Sequence, residues 1–258
     1  MSIPYAFADA AVITRRHLRH TTRIPELLFF SIMQPIIFIL LFTVVFANAI
    51  KIPGMDYKNY MMPAIFVQTM AFATAGTSVG LADDLHKGLI DRFRSLPMAR
   101  SAVLVGRLVA ESARNTLTLL IMVAAGYAVG FRFQNGVASA LGGILLLIVF
   151  AFAFSSIGTV IGLGVKSVEA ANMAGMIWIF PLTFLSNGFV GMSSLPGWLQ
   201  GIVRYIPVTT MNNALRAMFY GHGQALASPA LQSVLWIAGI SLVFLALGVR
   251  QYKKAASR

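Results

Sequence analysis

The sequence predicts an all-α integral membrane protein with six transmembrane helices, and composition is the first observation behind this prediction. Of 258 residues, 58% are hydrophobic and 11% are charged, whereas soluble domains carry about 25% charged residues. The second observation is that the apolar residues form six runs, each long enough to cross about 30 Å of hydrocarbon as a helix. We predict that a transmembrane domain over 25–250 contains spans at 27–47, 60–82, 108–130, 138–163, 171–191 and 229–248.

The third observation is the uneven distribution of basic residues. The net charge is +12, from 20 Lys and Arg against eight Asp and Glu. Fourteen of the bases lie in the N-terminal arm, the second and fourth connections and the C-terminal tail, and five lie in the other connections. Because Lys and Arg collect in cytoplasmic loops, both termini, including a tail over 251–258, are predicted to be cytoplasmic. This bias accounts for the positive charge without nucleic acid as a partner.

The N-terminal arm, residues 1–24, is predicted to be a cytoplasmic amphipathic helix at the membrane surface. Apolar residues recur in it at helical spacing and its arginines fall on another face, which is typical of interfacial helices. A plain basic anchor is the alternative. Although Ala47-Asn48-Ala49 resembles a cleavage site, the leader and the apolar run before it are longer than those of a signal peptide. The run is therefore predicted to be the first membrane helix.

The apolar runs contain few groups that could drive transport or catalysis. Glu111 is the acidic residue inside a run, with Arg107 four residues before it and Arg114 three residues after it. Such spacing predicts a structural ion cluster on one helix face, with a proton relay as the alternative. The nearest approach to a phosphate-binding loop, at 162–167, has the wrong spacing, and the chain has no Cys. The chain is therefore predicted to be non-catalytic, with no metal or cofactor of its own.

Glycine and proline mark where the helices pack or bend. G-x-x-x-G patterns occur at 76–80 and 158–162, and small residues at this spacing let helices approach closely. We expect this packing to lie within the chain. Three prolines within or near the starts of runs are expected to kink their helices, namely Pro35, Pro63 and Pro181.

The stretch DDLHKGLIDRFRSLPMAR, residues 83–100, is strongly charged between two almost uncharged runs. Apolar residues alternate with its charges, and Pro97 would end a helix there. The stretch is predicted to be a short cytoplasmic amphipathic helix with an apolar surface surrounded by charge. A solvated loop is the alternative.

Two segments resemble the ABC-2 type (type-2 ABC transporter) permeases, most closely the daunorubicin-resistance permease group. They are GLIDRFRSLPMARSAVLVGRLVAE, from 88 to 111, and IFPLTFLSNGFVGMSSLPGWLQGIVRYIPVTTMNNALRAM, from 179 to 218. The resemblance covers nearly the whole chain and implies a bacterial plasma-membrane permease. Its partners would be a second permease copy, identical or related, and two cytosolic ABC ATPase subunits that bind ATP and Mg. The chain departs from the family pattern at Val190-Gly191-Met192 and at Ile206, which leaves the cargo open.

The resemblance also assigns roles to residues near both membrane surfaces. The coupling helix at 83–100 would dock on the ATPase through Gly88, Asp91, Arg92, Phe93, Arg94, Leu96 and Pro97. An extracellular helical hairpin at 192–228 would cap the exit path through Leu195, Pro196, Trp198, Leu199, Pro207, Thr209 and Arg216. Because its helices have apolar faces, we expect it to re-enter the outer leaflet, and a plain external lid is the alternative.

In this family the cargo cavity is lined by spans 2 and 5. The residues expected to line it here are apolar with a few polar groups: Phe66, Gln68, Met70, Phe72, Asn172, Met176, Trp178, Phe184, Ser186 and Asn187. Such a lining suits export of a hydrophobic or amphipathic cargo, whether a drug, a polyketide or a lipid. Helix packing or lipid contact is the alternative role for these residues. The alternative functions are export of a polysaccharide or lipid-linked glycan, a stand-alone channel or secondary carrier, and a membrane-embedded enzyme.

Overall fold

The computed structural model describes residues 25–46, 55–88, 100–189, 191–221 and 227–255, and these residues are mostly helical. The predicted N-terminal helix, most of the predicted coupling helix and the last three residues lie outside the described ranges. The helices are α1 (Pro25–Leu41, continued by a π-helical turn at Phe42–Phe46), α2 (Tyr57–His86), α3 (Arg100–Ala128), α4 (Gly136–Gly164), α5 (Val168–Met176), α6 (Ile179–Phe184), a 3₁₀ turn (Met192–Ser194), α7 (Gly197–Val203), α8 (Pro207–Tyr220) and α9 (Ala227–Ala255).

Four of the described helices are long and apolar enough to cross a membrane. These segments are Tyr57–His86, Gly106–Ala128, Gly136–Gly164 and Ala227–Tyr252. The first predicted run is occupied by α1 and its π-helical turn, and the fifth by the shorter apolar stretch Val168–Phe184. The described chain is therefore an all-α membrane protein that crosses the bilayer several times.

The fifth apolar run, predicted as a span at 171–191, is not one helix. Helix α5 ends at Met176, α6 begins at Ile179, and the chain turns after Phe184. Pro181 explains the interruption, because proline has no N–H for the carbonyl of Ile177 and its ring crowds that carbonyl. The sequence placed Pro181 inside the run, but the two short helices on either side of the interruption come from the structure.

Helix α2 lies at the centre of the bundle, and small residues bring α4 and α5 against its backbone. A Cβ atom added at Gly158 would overlap the carbonyl oxygen of Thr74, and one at Gly162 would lie 2.6 Å from the oxygen of Ser78. A Cβ atom at Gly175 would lie 2.8 Å from the Cα atom of Ala75. The second G-x-x-x-G pattern therefore serves helix contact within the chain.

The contacts define two ends of the bundle. The loop end is where α2 finishes and α3 begins, and the hairpin end is where α2 begins and α7 and α8 lie. At the hairpin end α8 is mostly buried, and Phe219 packs against Gly143 of α4 and against Phe133, with ring centroids 4.8 Å apart. Helix α9, in contrast, exposes large apolar side chains such as Leu235 and Leu242, which suits a lipid-facing surface.

Candidate functional site

The loop end is a two-helix stem. Asp84 in the last turns of α2 forms an ion pair with Arg107 of α3, and the two side chains are only 18% and 7% exposed. Lys87 bonds to Asp83 at 2.6 Å, and Gly88 leaves the helix in the left-handed conformation, with φ 63°. Of the predicted coupling residues, Gly88 is described, whereas those from Asp91 to Pro97 lie outside the described residues.

Arg107, Glu111 and Arg114 of α3 take part in two ion pairs, one within the helix and one to α2. Arg114 pairs with Glu111 on the same helix at 2.6 Å, whereas Arg107 pairs with Asp84 of α2. The sequence interpretation had Arg107 paired with Glu111 through the four-residue spacing. It missed the longer-range pair, because helical spacing reports contacts within one helix only.

The first G-x-x-x-G pattern makes room for these arginines. A Cβ atom at Gly76 would lie 2.9 Å from Nη2 of Arg114, and one at Gly80 would overlap Nη2 of Arg107. The two guanidinium groups thus contact the backbone of α2 at Gly76 and Gly80, where there is no side chain. The sequence predicted close packing here, and the structure shows that arginine heads rather than a helix backbone occupy the space.

Directly beside this contact lies a cavity of about 160 Å³ between α1, α2 and α3. Three predicted cargo residues line it, namely Gln68, Met70 and Phe72. The complete lining is Gln34, Pro35, Phe38, Gln68, Thr69, Met70, Phe72, Ala73, Gly76, Arg114, Asn115 and Thr118. Sequence reasoning missed the α1 and α3 members, although polar residues such as Asn115 and Thr118 inside an apolar run were a signal that could have found them.

Two other predicted cargo residues belong to aromatic packing. Phe66 is fully buried and meets the edge of Phe131, with ring centroids 5.7 Å apart. The ring of Trp178 stacks on that of Phe154 at 5.8 Å. Phe131 lies in the connection between α3 and α4 and Trp178 in the turn between α5 and α6, so both contacts pack a connecting segment against a helix of the same chain.

The remaining predicted cargo residues of α5 and α6 lie partly or fully at the surface. Asn172 and Met176 are half-buried. Phe184 is exposed and stacks between Phe180 and Phe189. The structure therefore does not bring the ten predicted residues into one cavity within a single chain.

A buried arginine organises the hairpin end. Arg216 of α8 is 3% exposed, and its guanidinium lies 3.5 Å from the ring centroid of Tyr60. Its Nε donates to the Tyr60 carbonyl at 3.0 Å, and Nη2 donates to the carbonyls of Asn187 and Gly188 at 3.0 and 3.1 Å. Burial lowers the pKa of Arg216 to about 10, so the side chain remains charged at neutral pH.

Ser186 and Asn187, which were also predicted to line the cavity, make structural hydrogen bonds around Arg216. The Tyr60 hydroxyl donates to the Asn187 carbonyl at 2.7 Å, and Asn187 Nδ2 donates to Asn213 Oδ1 at 2.7 Å. Ser186 Oγ accepts from the Gly188 amide at 3.2 Å. The turn after α6 is thereby joined to α2 and α8.

The predicted hairpin residues divide between this network and the surface. Thr209 is buried and its hydroxyl accepts from the Asn187 amide, while Pro207 begins α8. On α7, Val203 is fully buried, but Trp198 is 73% exposed. Leu199 is half-buried, Pro196 is exposed, and the Leu195 carbonyl accepts from Gln200.

A second, larger cavity of about 740 Å³ lies at the hairpin end. Its lining is predominantly polar and includes Gln200, Arg204, Asn213 and Gln232, together with Asn187. It lies between the turn after α6 and helices α7, α8 and α9.

Comparison with known proteins agrees with the sequence resemblance. The ABC-2 type transporter family model matches residues 9–220. The chain is 33% identical over 250 residues to the daunorubicin resistance ABC transporter permease protein DrrB1 of Streptomyces coeruleorubidus, which covers 96% of this chain and 88% of that protein. It is 28% identical over 228 residues to the probable doxorubicin resistance ABC transporter permease protein DrrC of Mycobacterium tuberculosis, covering 86% and 80%.

A more distant relative is the inner membrane transport permease YadH of Escherichia coli, which is 23% identical over 200 residues and aligns with 74% of this chain and 76% of its own length. All three alignments extend well beyond the two segments quoted above. Because the family model covers most of the chain, the protein belongs to the ABC-2 type transporter family.

Proposed function

We propose that the chain is the transmembrane permease subunit of an ATP-driven ABC exporter. The observation that carries this proposal is the near full-length similarity, at 33% identity, to a protein named as a daunorubicin resistance ABC transporter permease. The cargo would be a hydrophobic or amphipathic molecule such as a drug, a polyketide or a lipid, moved outward across the plasma membrane. Six spans with both termini in the cytoplasm, a second permease copy and two ATPase subunits complete the proposed assembly.

Energy enters at the loop end in this proposal. The stretch 83–100 acts as the coupling helix and docks on the ATPase, which binds ATP and Mg. The stem supports this role, because the Asp84–Arg107 ion pair joins both helices next to the loop and is largely shielded from water. A force on the loop would therefore act on α2 and α3 together rather than on one of the two helices alone.

The hairpin end would face outward and cover the exit. Helix α8 is mostly buried, and Arg216 ties it to α2 and to the turn after α6. These contacts favour a hairpin that is inserted into the bundle rather than a lid that rests on its surface.

A second candidate function is export of a polysaccharide or lipid-linked glycan. The observation that favours it is the polar cavity at the hairpin end, whose amide and guanidinium groups from Gln200, Arg204 and Asn213 suit hydroxyl-rich ligands. A glycan exporter would transport a sugar conjugate and not an apolar drug.

Co-purification tests the ATPase partnership. The chain is co-expressed with ABC ATPase subunits encoded in the same genome, as wild type and as the double reversal Arg92→Glu with Arg94→Glu. A matched reversal in the tail, Lys253→Glu with Lys254→Glu, changes the net charge equally outside the proposed coupling helix. We expect an ATPase to co-purify with the wild type and the tail variant and to be lost from the Arg92/Arg94 variant.

Transport by the reconstituted complex tests the direction and the cargo. Inside-out vesicles should accumulate daunorubicin only with ATP, and a lipid-linked glycan should not compete. If no ATPase binds and the purified chain alone moves solute, the proposal is wrong and a channel or carrier replaces it. If ATP drives glycan but not drug uptake, the second candidate function replaces the first.

A further inference from the structure

The cavity between α1, α2 and α3 contains a buried hydrogen-bond donor without an acceptor. Asn115 lines the cavity and is 6% exposed. Its Nδ2 has no hydrogen-bond partner among the residues that the structure describes. Since a buried amide donor left unpaired keeps its full desolvation penalty, this group points to an acceptor supplied by a bound molecule.

The hydroxyl groups nearby do not satisfy Asn115. Thr118 donates to the Arg114 carbonyl at 3.2 Å, and Thr69 donates to the Ile65 carbonyl at 2.9 Å. Each hydroxyl oxygen could still accept a hydrogen bond, but neither accepts one from Asn115 Nδ2. Asn115 Nδ2 is therefore left without an acceptor among the described residues.

The charge in the lining is balanced and held in place. Arg114 pairs with Glu111 at 2.6 Å, and its guanidinium lies against Gly76. The Arg114–Glu111 pair has no net charge that would favour an anion, although Arg114 Nε, like Asn115 Nδ2, has no acceptor among the described residues. A guanidinium in the lining also disfavours an ammonium group of a ligand, because like charges repel strongly where water is scarce.

The rest of the lining is mainly apolar, and the amides of Gln34 and Gln68 are its further polar groups. Phe38, Met70 and Phe72 form much of it. The volume of about 160 Å³ is close to that of an engineered protein cavity that holds one benzene molecule. The cavity therefore has room for one ring and not for a large polycyclic molecule.

We propose that this cavity binds one end of the cargo, namely a ring-sized, uncharged group bearing an oxygen that accepts a hydrogen bond from Asn115 Nδ2. The inference rests on the proposed export function and deepens it. The ring would pack on the aromatic and methionine side chains, and any amine of the cargo would lie outside the cavity. The residues come from α1, α2 and α3 of one chain.

Binding of small probes to the chain alone tests the recognition. Acetophenone and α-methylstyrene have the same shape. Acetophenone has a carbonyl oxygen where α-methylstyrene has a CH₂ group. Fluorinated forms of both are titrated by ¹⁹F NMR into the permease in lipid nanodiscs, and partitioning into empty nanodiscs is subtracted. We expect the ketone to bind about fivefold to tenfold tighter, as one neutral hydrogen bond provides.

The variant Asn115→Leu should abolish this preference while the protein remains as stable as the wild type or more so, because it removes an unpaired buried donor. Ser155→Ala is the matched control, since Ser155 is also buried with a hydroxyl that lacks a partner among the described residues, but it does not line the cavity. The control should retain the preference for the ketone.

Transport separates this inference from the proposed function. If the wild type with its ATPase exports an oxygen-bearing drug, Asn115→Leu should raise the KM about fivefold, and Ser155→Ala should not. Equal binding of ketone and hydrocarbon, or an unchanged KM in Asn115→Leu, would overturn the cavity assignment and leave export intact. Absence of any ATP-dependent export by the wild type would overturn the proposed function, whatever the probes show.

Discussion

The contact between α4 and α2 at Gly162 makes a quantitative prediction for the substitution Gly162→Ala. The added Cβ atom would lie 2.6 Å from the Ser78 carbonyl oxygen, 3.1 Å from the Leu81 Cβ atom and 3.2 Å from the Ser78 Cα atom. Ordinary van der Waals contact of a Cβ atom begins near 3.4 Å. Two of these three neighbours are backbone atoms of α2. The separation of α2 and α4 must therefore increase by about 0.8 Å to make room for the methyl group.

This increase in the separation of α2 and α4 determines how much stability the substitution costs. A gap of 0.5–1 Å forfeits about a quarter to a half of the dispersion energy of the atoms involved, and overpacking of this kind costs about 1–3 kcal/mol. The higher helix propensity of alanine returns up to about 1 kcal/mol. We therefore expect a net loss of about 1–2 kcal/mol in the free energy of unfolding.

Thermal unfolding of the purified protein in detergent, followed by tryptophan fluorescence, measures the loss. For a chain of this size 1 kcal/mol corresponds to about 2–4 °C in Tm, so Gly162→Ala should melt about 2–8 °C below the wild type. The control is Gly239→Ala in α9, where an added Cβ atom meets nothing within 4 Å, and its Tm should stay equal or rise. A Gly162→Ala protein as stable as the wild type would refute the close α2–α4 contact.

Two further predictions concern the buried arginines. Arg216→Lys should lower the free energy of unfolding by about 2 kcal/mol, because a compact ammonium group cannot reproduce hydrogen bonds to three carbonyls and stacking on Tyr60; an unchanged Tm would contradict the network. Asp84→Asn and Arg107→Gln should each destabilise by about 3 kcal/mol, the lower end of the range for breaking a buried pair, and their double mutant should lose less than the sum. Additive losses in this double-mutant cycle, measured by thermal unfolding, would show that the ion pair contributes nothing.

Helix positions were predictable from the sequence because long apolar runs have few alternatives in a membrane. The run at 60–82, for example, lies within Tyr57–His86. The helix is longer than the run because an apolar run marks the part in hydrocarbon, whereas backbone hydrogen bonds continue into the polar turns that contain Lys58 and Asp83. Pro181 was visible in the sequence, and the structure shows that the fifth run is interrupted just before it, between Met176 and Ile179.

The arrangement of the polar groups was far less predictable. The two G-x-x-x-G patterns have the same spacing, yet Gly162 contacts the backbone of another helix while Gly80 accommodates the head of Arg107. Arg107 could satisfy the four-residue pairing rule with Glu111, but its ion pair is with Asp84, 23 residues away. Local spacing cannot rank a partner on the same helix against one on a neighbouring helix, and this choice defines the loop end.

Helix α2 connects the proposed entry of energy with the proposed cargo cavity. Asp84, Gly80 and Gly76 recur at four-residue intervals along it, so they share one face and span about 12 Å. On that face α2 meets Arg107 and then Arg114, and Arg114 lines the cavity together with Gly76. In the proposed mechanism a displacement of the stem at Asp84 would reach the cavity wall through these two arginine contacts on one helix. Because the Asp84–Arg107 ion pair joins α3 to α2, both helices would carry that displacement together.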